Sequence, residues 1–127
     1  MSTETRIDKR QSIEELNDLI IESIQDIKGK NILKLDLRHL DDAPTDYFII
    51  CEGSSTTQVK AISDKVYKKI KDELGDLPLH YEGQQSARWI CLDYFNVVVH
   101  IFYPETRDFY QLEDLWSDAL FTEFENL

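Results

Sequence analysis

The sequence predicts a single α/β or α+β domain in which helices flank a mixed sheet of about five strands. The predicted elements run in the order helix, strand, strand, helix, short strand, strand, strand, helix. A short link joins the first two strands, which favours antiparallel neighbours, whereas the long helix that follows them permits a parallel crossover. A chain of 127 residues is long enough to bury one hydrophobic core.

The first helix is predicted to open at Ser12, where Glu15 follows three residues later and completes a capping box. Gly29 is its expected end. Residues 1–11 are polar and mixed in charge, which is typical of a flexible terminus. Apolar residues recur at helical spacing along the core-facing side of this helix: Ile13, Leu16, Ile20, Ile24 and Ile27.

The next two segments have the alternation of strands. In residues 31–37 the leucines occupy one side and Lys34 and Asp36 the other, so one face of this strand is expected to meet water. Residues 47–51 are apolar on both sides, as in a strand covered on both faces. This second strand is therefore predicted to be central in the sheet.

A long helix follows the turn at Gly53, with Ser54 or Ser55 as its cap and Gly75 as its stop. Its apolar stripe consists of Val59, Ile62, Val66, Ile70 and Leu74. A group of lysines lies off this stripe, and a solvated helix face explains it better than a binding site does: Lys60, Lys68, Lys69 and Lys71.

Residues 77–82 form at best a short strand, and residues 88–93 and 95–103 are predicted to pair as a hairpin. Alternation places Ile90 and Leu92 in the core and leaves Trp89 and Asp93 on the opposite face, roughly 13 Å apart. His100 lies in an apolar run with no second histidine or cysteine at ligand spacing, which favours a hydrogen-bonded interior histidine over a metal ligand.

The last predicted helix has Pro104 in its first turn. Its expected core stripe is Phe109, Leu112, Leu115 and Trp116, and its expected water-facing residues are Glu105, Asp108, Glu113 and Asp114. Arg107 and Tyr110 fit neither face clearly. Residues 120–127 form a C-terminal tail that either extends the helix or remains free.

Charge restricts the class of partner. Lys and Arg number 14 against 25 Asp and Glu, a net charge of -11, which repels phosphate backbones and predicts little direct nucleic-acid contact. A basic protein is the partner that such a surface suits.

Cys51 and Cys91 lie in apolar strands without CxxC spacing, which indicates reduced core thiols, no zinc site and a cytoplasmic location. Neither a membrane span nor a signal peptide is predicted, and no cofactor or metal is expected.

Several sequence blocks occur together in a specific order. In the first half they are Asp46–Ser55, Gln58-Val59 and Ala61–Asp64. In the second half they are Glu82-Gly83, Ala87, Trp89-Ile90, Asp93-Tyr94, Val97–Phe102, Arg107, Tyr110, Leu112-Glu113 and Leu115-Trp116. In this order the blocks resemble the ribosomal silencing factor family, also called Iojap-like, over Ile13 to Ala119. We therefore expect residues 12–119 to be a single domain of that type.

The resemblance implies a nucleotidyltransferase-like topology and a regulatory function. Such a protein would bind a basic protein of the large ribosomal subunit at the intersubunit face, block joining of the small subunit and repress translation; organellar relatives assist large-subunit maturation. The partner-binding residues that it implies are Trp89, Leu92, Asp93 and Tyr94, with Glu82, His100 and Tyr103 as weaker candidates. Alternation along the strands agrees for Trp89 and Asp93 but favours the core for Leu92 and His100.

One departure from the family pattern concerns the hairpin turn, where Phe95-Asn96 replaces a common Gly-Asp pair. Phe does not readily replace Gly where a turn needs a left-handed residue. We therefore expect a longer tip or a shifted register, either of which would move Tyr94.

Two other functions are compatible with parts of the sequence. A nucleotidyltransferase-like enzyme would use the Gly53-Ser54 turn, but it needs two carboxylates two residues apart on a later strand, and only Asp93 is available there. The sequence therefore favours helix capping at this turn and a binding protein over an enzyme. An acidic adaptor for another basic protein, or a homodimer that buries Tyr94, Phe121 and Phe124, is the third possibility.

Overall fold

The computed structural model describes residues 9–127, with side chains from residue 13 onward. Its elements are α1 Lys9–Asp26, β1 Lys30–Asp36, β2 Tyr47–Glu52, α2 Thr56–Leu74, β3 His80–Glu82, β4 Trp89–Asp93, β5 Val97–Phe102, α3 Pro104–Tyr110, α4 Leu112–Leu115 and β6 Leu120–Phe124.

The strands form one mixed sheet in the order β3-β4-β5-β2-β1-β6. β1 and β2 are antiparallel, and β2 lies parallel to β5. Both relationships confirm the sequence prediction. β2 is flanked on both sides, and its first five residues are buried, which confirms its central place.

α1 and α2 cover one face of the sheet and form the larger core with it, and we call this side the helix side. Residues such as Ile20, Ile24, Ile62 and Ile70 have no exposed surface. α1 begins at Lys9, so Ser12 lies inside the helix and is not its cap, contrary to the prediction. The rest of the predicted flexible terminus, residues 1–8, lies outside the described residues.

The ends of α2 follow the predicted capping chemistry. Oγ of Ser55 accepts a hydrogen bond from the Gln58 N–H at 3.1 Å. Gly75 adopts φ +72° and its N–H donates to the Lys71 carbonyl, a left-handed C-terminal stop that glycine adopts without steric cost. Three of the four lysines named above pair with acids one turn further on, as expected of a solvated helix face: Lys60 with Asp64, Lys68 with Asp72 and Lys69 with Glu73.

The opposite side of the sheet carries a smaller core and is only partly covered. The predicted single closing helix is wrong here, because Gln111 adopts φ +46° and divides it into α3 and α4. Leu112 and Trp116 pack on this core as predicted. Phe109 and Leu115 instead are 79% and 74% exposed, contrary to the prediction.

A buried arginine explains where the break falls. Arg107 is 7% exposed, donates to the Asn31 carbonyl at 2.7 Å, and forms ion pairs with Glu52 at 3.0 Å and Glu113 at 3.1 Å. A buried guanidinium is tolerated only when its charge and donors are satisfied. Glu113 was predicted to face water, but the pair with Arg107 turns it inward.

The C-terminal segment is a strand and neither a helix extension nor a free tail. β6 pairs antiparallel with β1, with Ile32 opposite Phe124 and Asp36 opposite Leu120. The Asn31 N–H donates to Oδ1 of Asn126 at 2.8 Å, which fixes the end of the segment. The sheet therefore has six strands within the described residues, one more than expected.

Candidate protein-binding face

The surface of β3, β4 and β5 that points away from α1 and α2 is the candidate site, and we call it the open face. Ile90 and Leu92 of β4 are buried on the helix side, so Trp89, Cys91 and Asp93 point the other way. The residues paired with them on β3 and β5 lie on the same face of the sheet: His80, Glu82, Val98, His100 and Phe102.

Trp89 is half-buried at one end of the open face. Its ring stacks on Phe102 with centroids 4.8 Å apart and lies 5.0 Å from the ring of Tyr110. The indole N–H donates to Nδ1 of His100 at 3.1 Å. Packing and a hydrogen bond therefore fix one orientation of the indole while part of it stays accessible.

His100 lies beneath this surface and is 6% exposed. Because an indole N–H can only donate, Nδ1 must be the acceptor and the neutral ring carries its proton on Nε2. Burial lowers the pKa of His100 to about 4, which keeps the ring neutral near pH 7. This confirms the predicted interior histidine and corrects its candidacy as a direct contact: it has almost no surface to offer a partner.

Two carboxylates give the open face its charge. Asp93 is half-buried, and its Oδ1 accepts a hydrogen bond from the Phe95 N–H at 2.8 Å. Glu82 is exposed on β3, where it lies opposite Cys91 of β4.

The Cys91 thiol lies between these two acids on the open face. Burial, with the nearby charges of Glu82 and Asp93, raises the pKa of the Cys91 thiol to about 11, so this thiol stays protonated.

Three other residues implied by the resemblance lie on the helix side. Leu92 has no exposed surface, and Tyr94 is 8% exposed within the larger core, so neither can contact a partner directly. Burial also removes Tyr94 from any surface for self-association. Tyr103 packs against the same core, with the Arg88 guanidinium 5.7 Å from its ring centroid. The strand alternation of side chains is the reason for all three placements.

The hairpin turn keeps its register, which corrects the expected shift. Pairing is regular from Trp89 opposite Phe102 to Asp93 opposite Val98. The Tyr94 N–H donates to the Val97 carbonyl at 2.9 Å, so Phe95 and Asn96 form a two-residue turn. Phe95 achieves this by adopting φ +76°.

Comparison with known proteins identifies the family of this chain. The family model described as ribosomal silencing factor during starvation matches residues 10–127. The chain belongs to the ribosomal silencing factor family. The resemblance inferred from the sequence blocks is thereby confirmed.

Individual silencing factors match nearly the whole chain. One from Halalkalibacterium halodurans is 36% identical over 91% of this chain and 97% of its own length. A crystal structure of a protein from Chromobacterium violaceum superposes with a TM-score of 0.78 at 39% identity, covering 83% of this chain and 86% of that one. A mouse protein named mitochondrial assembly of ribosomal large subunit protein 1 is 40% identical over 58% of this chain and 33% of its own length.

The Gly53-Ser54 turn of this chain caps the start of α2. The Ser54 N–H and hydroxyl both donate to Oε1 of Gln58, at 2.6 and 2.8 Å, and a Cβ on Gly53 would lie 2.8 Å from the Val59 nitrogen. Both donors of Ser54 are therefore engaged within the chain, and the predicted capping function of this turn is confirmed. The family relatives are named as silencing factors and not as enzymes.

The sequence did not predict that residues of α3 lie next to the Trp89 indole. Tyr110 is 52% exposed against Trp89, and a groove of about 370 Å³ lies between β4 and α3, lined by residues that include Arg88, Glu105 and Phe109. Helical spacing assigned Phe109 to the core because the break at Gln111 leaves no signal in the hydrophobic pattern.

Across the described residues, no helix combines the length and apolar character needed to cross a membrane.

Proposed function

We propose that this silencing factor acts in the cytoplasm by binding a basic protein on the intersubunit face of the large ribosomal subunit. While bound, it prevents the small subunit from joining and so represses translation. The observation that carries the proposal is the fixed, half-exposed Trp89 indole on a face that also presents Glu82 and Asp93. The family, and the relative named for large-subunit assembly, support the ribosome as the target.

Charge supports a protein target on that particle over ribosomal RNA. With a net charge of -11, the silencing factor is repelled by phosphates and attracted to cationic protein surface. Opposite charge across an interface mainly increases the association rate and selects the partner. We therefore expect binding that weakens as salt increases.

The indole supplies the affinity in this proposal. Trp is among the residues that dominate binding energy when an interface buries them. The contacts of Trp89 with His100, Phe102 and Tyr110 hold the ring before binding, so little side-chain entropy remains to be lost. The bound protein then excludes the small subunit sterically, which requires no chemical step.

Co-sedimentation with purified large subunits at increasing salt tests the proposal. Asp93→Lys reverses a charge on the open face, and Asp18→Lys makes the same change on an exposed position of α1 at the helix side. We expect Asp93→Lys to abolish pelleting with the subunit at moderate salt and Asp18→Lys to retain it. Equal binding by both variants, or binding that salt does not affect, would contradict the assignment of this face.

A further inference from the structure

Phe95, at the tip of the β4–β5 hairpin, combines two unfavourable features. Its backbone adopts φ +76°, a region that bulky residues rarely enter, and its side chain is 69% exposed. Among the described residues, its ring belongs to neither apolar core. Backbone strain of this kind persists where surrounding structure enforces it, and it is concentrated at functional sites.

Side chains from the end of β4 and from the β1–β2 loop enforce this conformation. The Phe95 N–H donates to Oδ1 of Asp93 at 2.8 Å, and the hydroxyl of Thr45 donates to the Phe95 carbonyl at 2.7 Å. Next to it, Nδ2 of Asn96 donates to Oδ2 of Asp46 at 3.1 Å. The tip is thus fastened to the β1–β2 loop, and the backbone that carries the aromatic ring is held in place before any partner arrives.

The surroundings of the ring indicate the chemistry of a partner. Phe95 lines a shallow groove of about 210 Å³ whose other wall includes Leu40 and Pro44 of the β1–β2 loop. Leu40 packs on the smaller core, so the groove borders the same side of the sheet as Trp89. The exposed loop acids are Asp41 and Asp42, and the one arginine lining the groove, Arg38, is already paired with Asp36 at 2.7 Å.

We propose that Phe95 is a second anchor of this chain, which enters an apolar recess on the same basic ribosomal protein that Trp89 contacts. The acidic loop complements the positive surface around that recess. The four steps of strand from Trp89 to Asp93 and the two further residues to the turn place the anchors at most roughly 20 Å apart, a span that fits a standard interface of about 800 Å² per partner. The inference rests on the proposed function and extends its interface to the hairpin tip.

Phe95→Gly separates binding from stability, because glycine adopts positive φ without steric cost. We expect its thermal midpoint to stay equal to or rise above that of the unaltered protein, while its Kd for large subunits increases at least about 10-fold. Phe95→Ala should weaken binding equally, and Phe95→Tyr should retain it. Leu77→Ala, which truncates another exposed apolar side chain, serves as the matched control and should bind normally.

The outcomes distinguish this inference from the proposed function. If Phe95→Gly binds normally while Trp89→Ala does not, the second anchor is wrong and the proposed function stands. If both variants bind normally, the proposed function itself fails. A lower thermal midpoint for Phe95→Gly would show that the ring supports the fold, which would also overturn the inference.

Discussion

The indole N–H of Trp89 donates to Nδ1 of His100 at 3.1 Å and joins the side chains of two adjacent strands. The acceptor is a neutral ring almost fully buried under the open face. His100 therefore acts through Trp89 and sets the orientation of the side chain that we propose as the main anchor for a partner.

Trp89→Ala should weaken binding to large subunits by about 2 kcal/mol or more, roughly 30-fold, because it removes the main anchor. Some stability should also be lost, since the ring stacks on Phe102. The buried helix-side core is untouched, so the variant should remain folded, which circular dichroism would verify. Trp89→Phe, which keeps an aromatic ring but loses the donor, should give an intermediate Kd. A normal Kd for folded Trp89→Ala would contradict the role of the indole.

His100→Leu should weaken binding without removing any partner contact, because it deletes the acceptor that orients Trp89. His100→Asn places an amide oxygen near the position of Nδ1 and should retain most of the affinity. In a Trp116→Phe background, the fluorescence of Trp89 should shift for the Leu variant and stay near its original wavelength for the Asn variant. If both variants lose affinity equally with no spectral difference, the hydrogen bond is unimportant and His100 acts only by packing.

The buried histidine also predicts a dependence of stability on pH. The pKa of His100 falls from an ordinary 6.5 to about 4 on folding, because burial disfavours the charged ring. The unfolded chain therefore binds more protons between these values, and the free energy of unfolding decreases as pH falls from 6.5 towards 4, by about 3 kcal/mol in total. Urea unfolding at several pH values, compared with His100→Asn, isolates this contribution. Parallel curves for the two proteins would contradict it.

Arg107→Met should lower the free energy of unfolding by about 3 kcal/mol or more, because it leaves the carboxylates of Glu52 and Glu113 largely buried without a counter-charge. Adding Glu52→Gln and Glu113→Gln should recover much of the loss. Arg38→Met breaks the more exposed pair with Asp36 and should cost no more than about 1 kcal/mol. Urea denaturation measures all three, and similar losses for Arg107→Met and Arg38→Met would contradict the structural importance of the buried network.

The sequence predicted those parts of the fold whose signals are local. The buried strand β2 is continuously apolar, and α2 carries both its cap, Ser55, and its stop, Gly75. The break at Gln111 was not predictable, because it depends on distant partners of Arg107. β6 was missed because its residues are mostly exposed and show no apolar alternation.

The same distinction applies to the candidate site. Strand alternation alone placed Trp89 and Asp93 on one face and Leu92 in the core. It could not reveal that Tyr110 would stack beside the indole, since that contact joins α3 to β4. Nor could it show that the Phe95 backbone would be held in a left-handed conformation by Thr45 and Asp93.

The most direct test of the proposed function is the rate of subunit joining, followed by light scattering after large and small subunits are mixed. With saturating silencing factor bound first to the large subunit, we expect joining to slow strongly. The same amount of Trp89→Ala should leave the rate near its original value, and Asp18→Lys should inhibit as the unaltered protein does. Joining at an undiminished rate with the silencing factor saturating the large subunit would contradict the central claim.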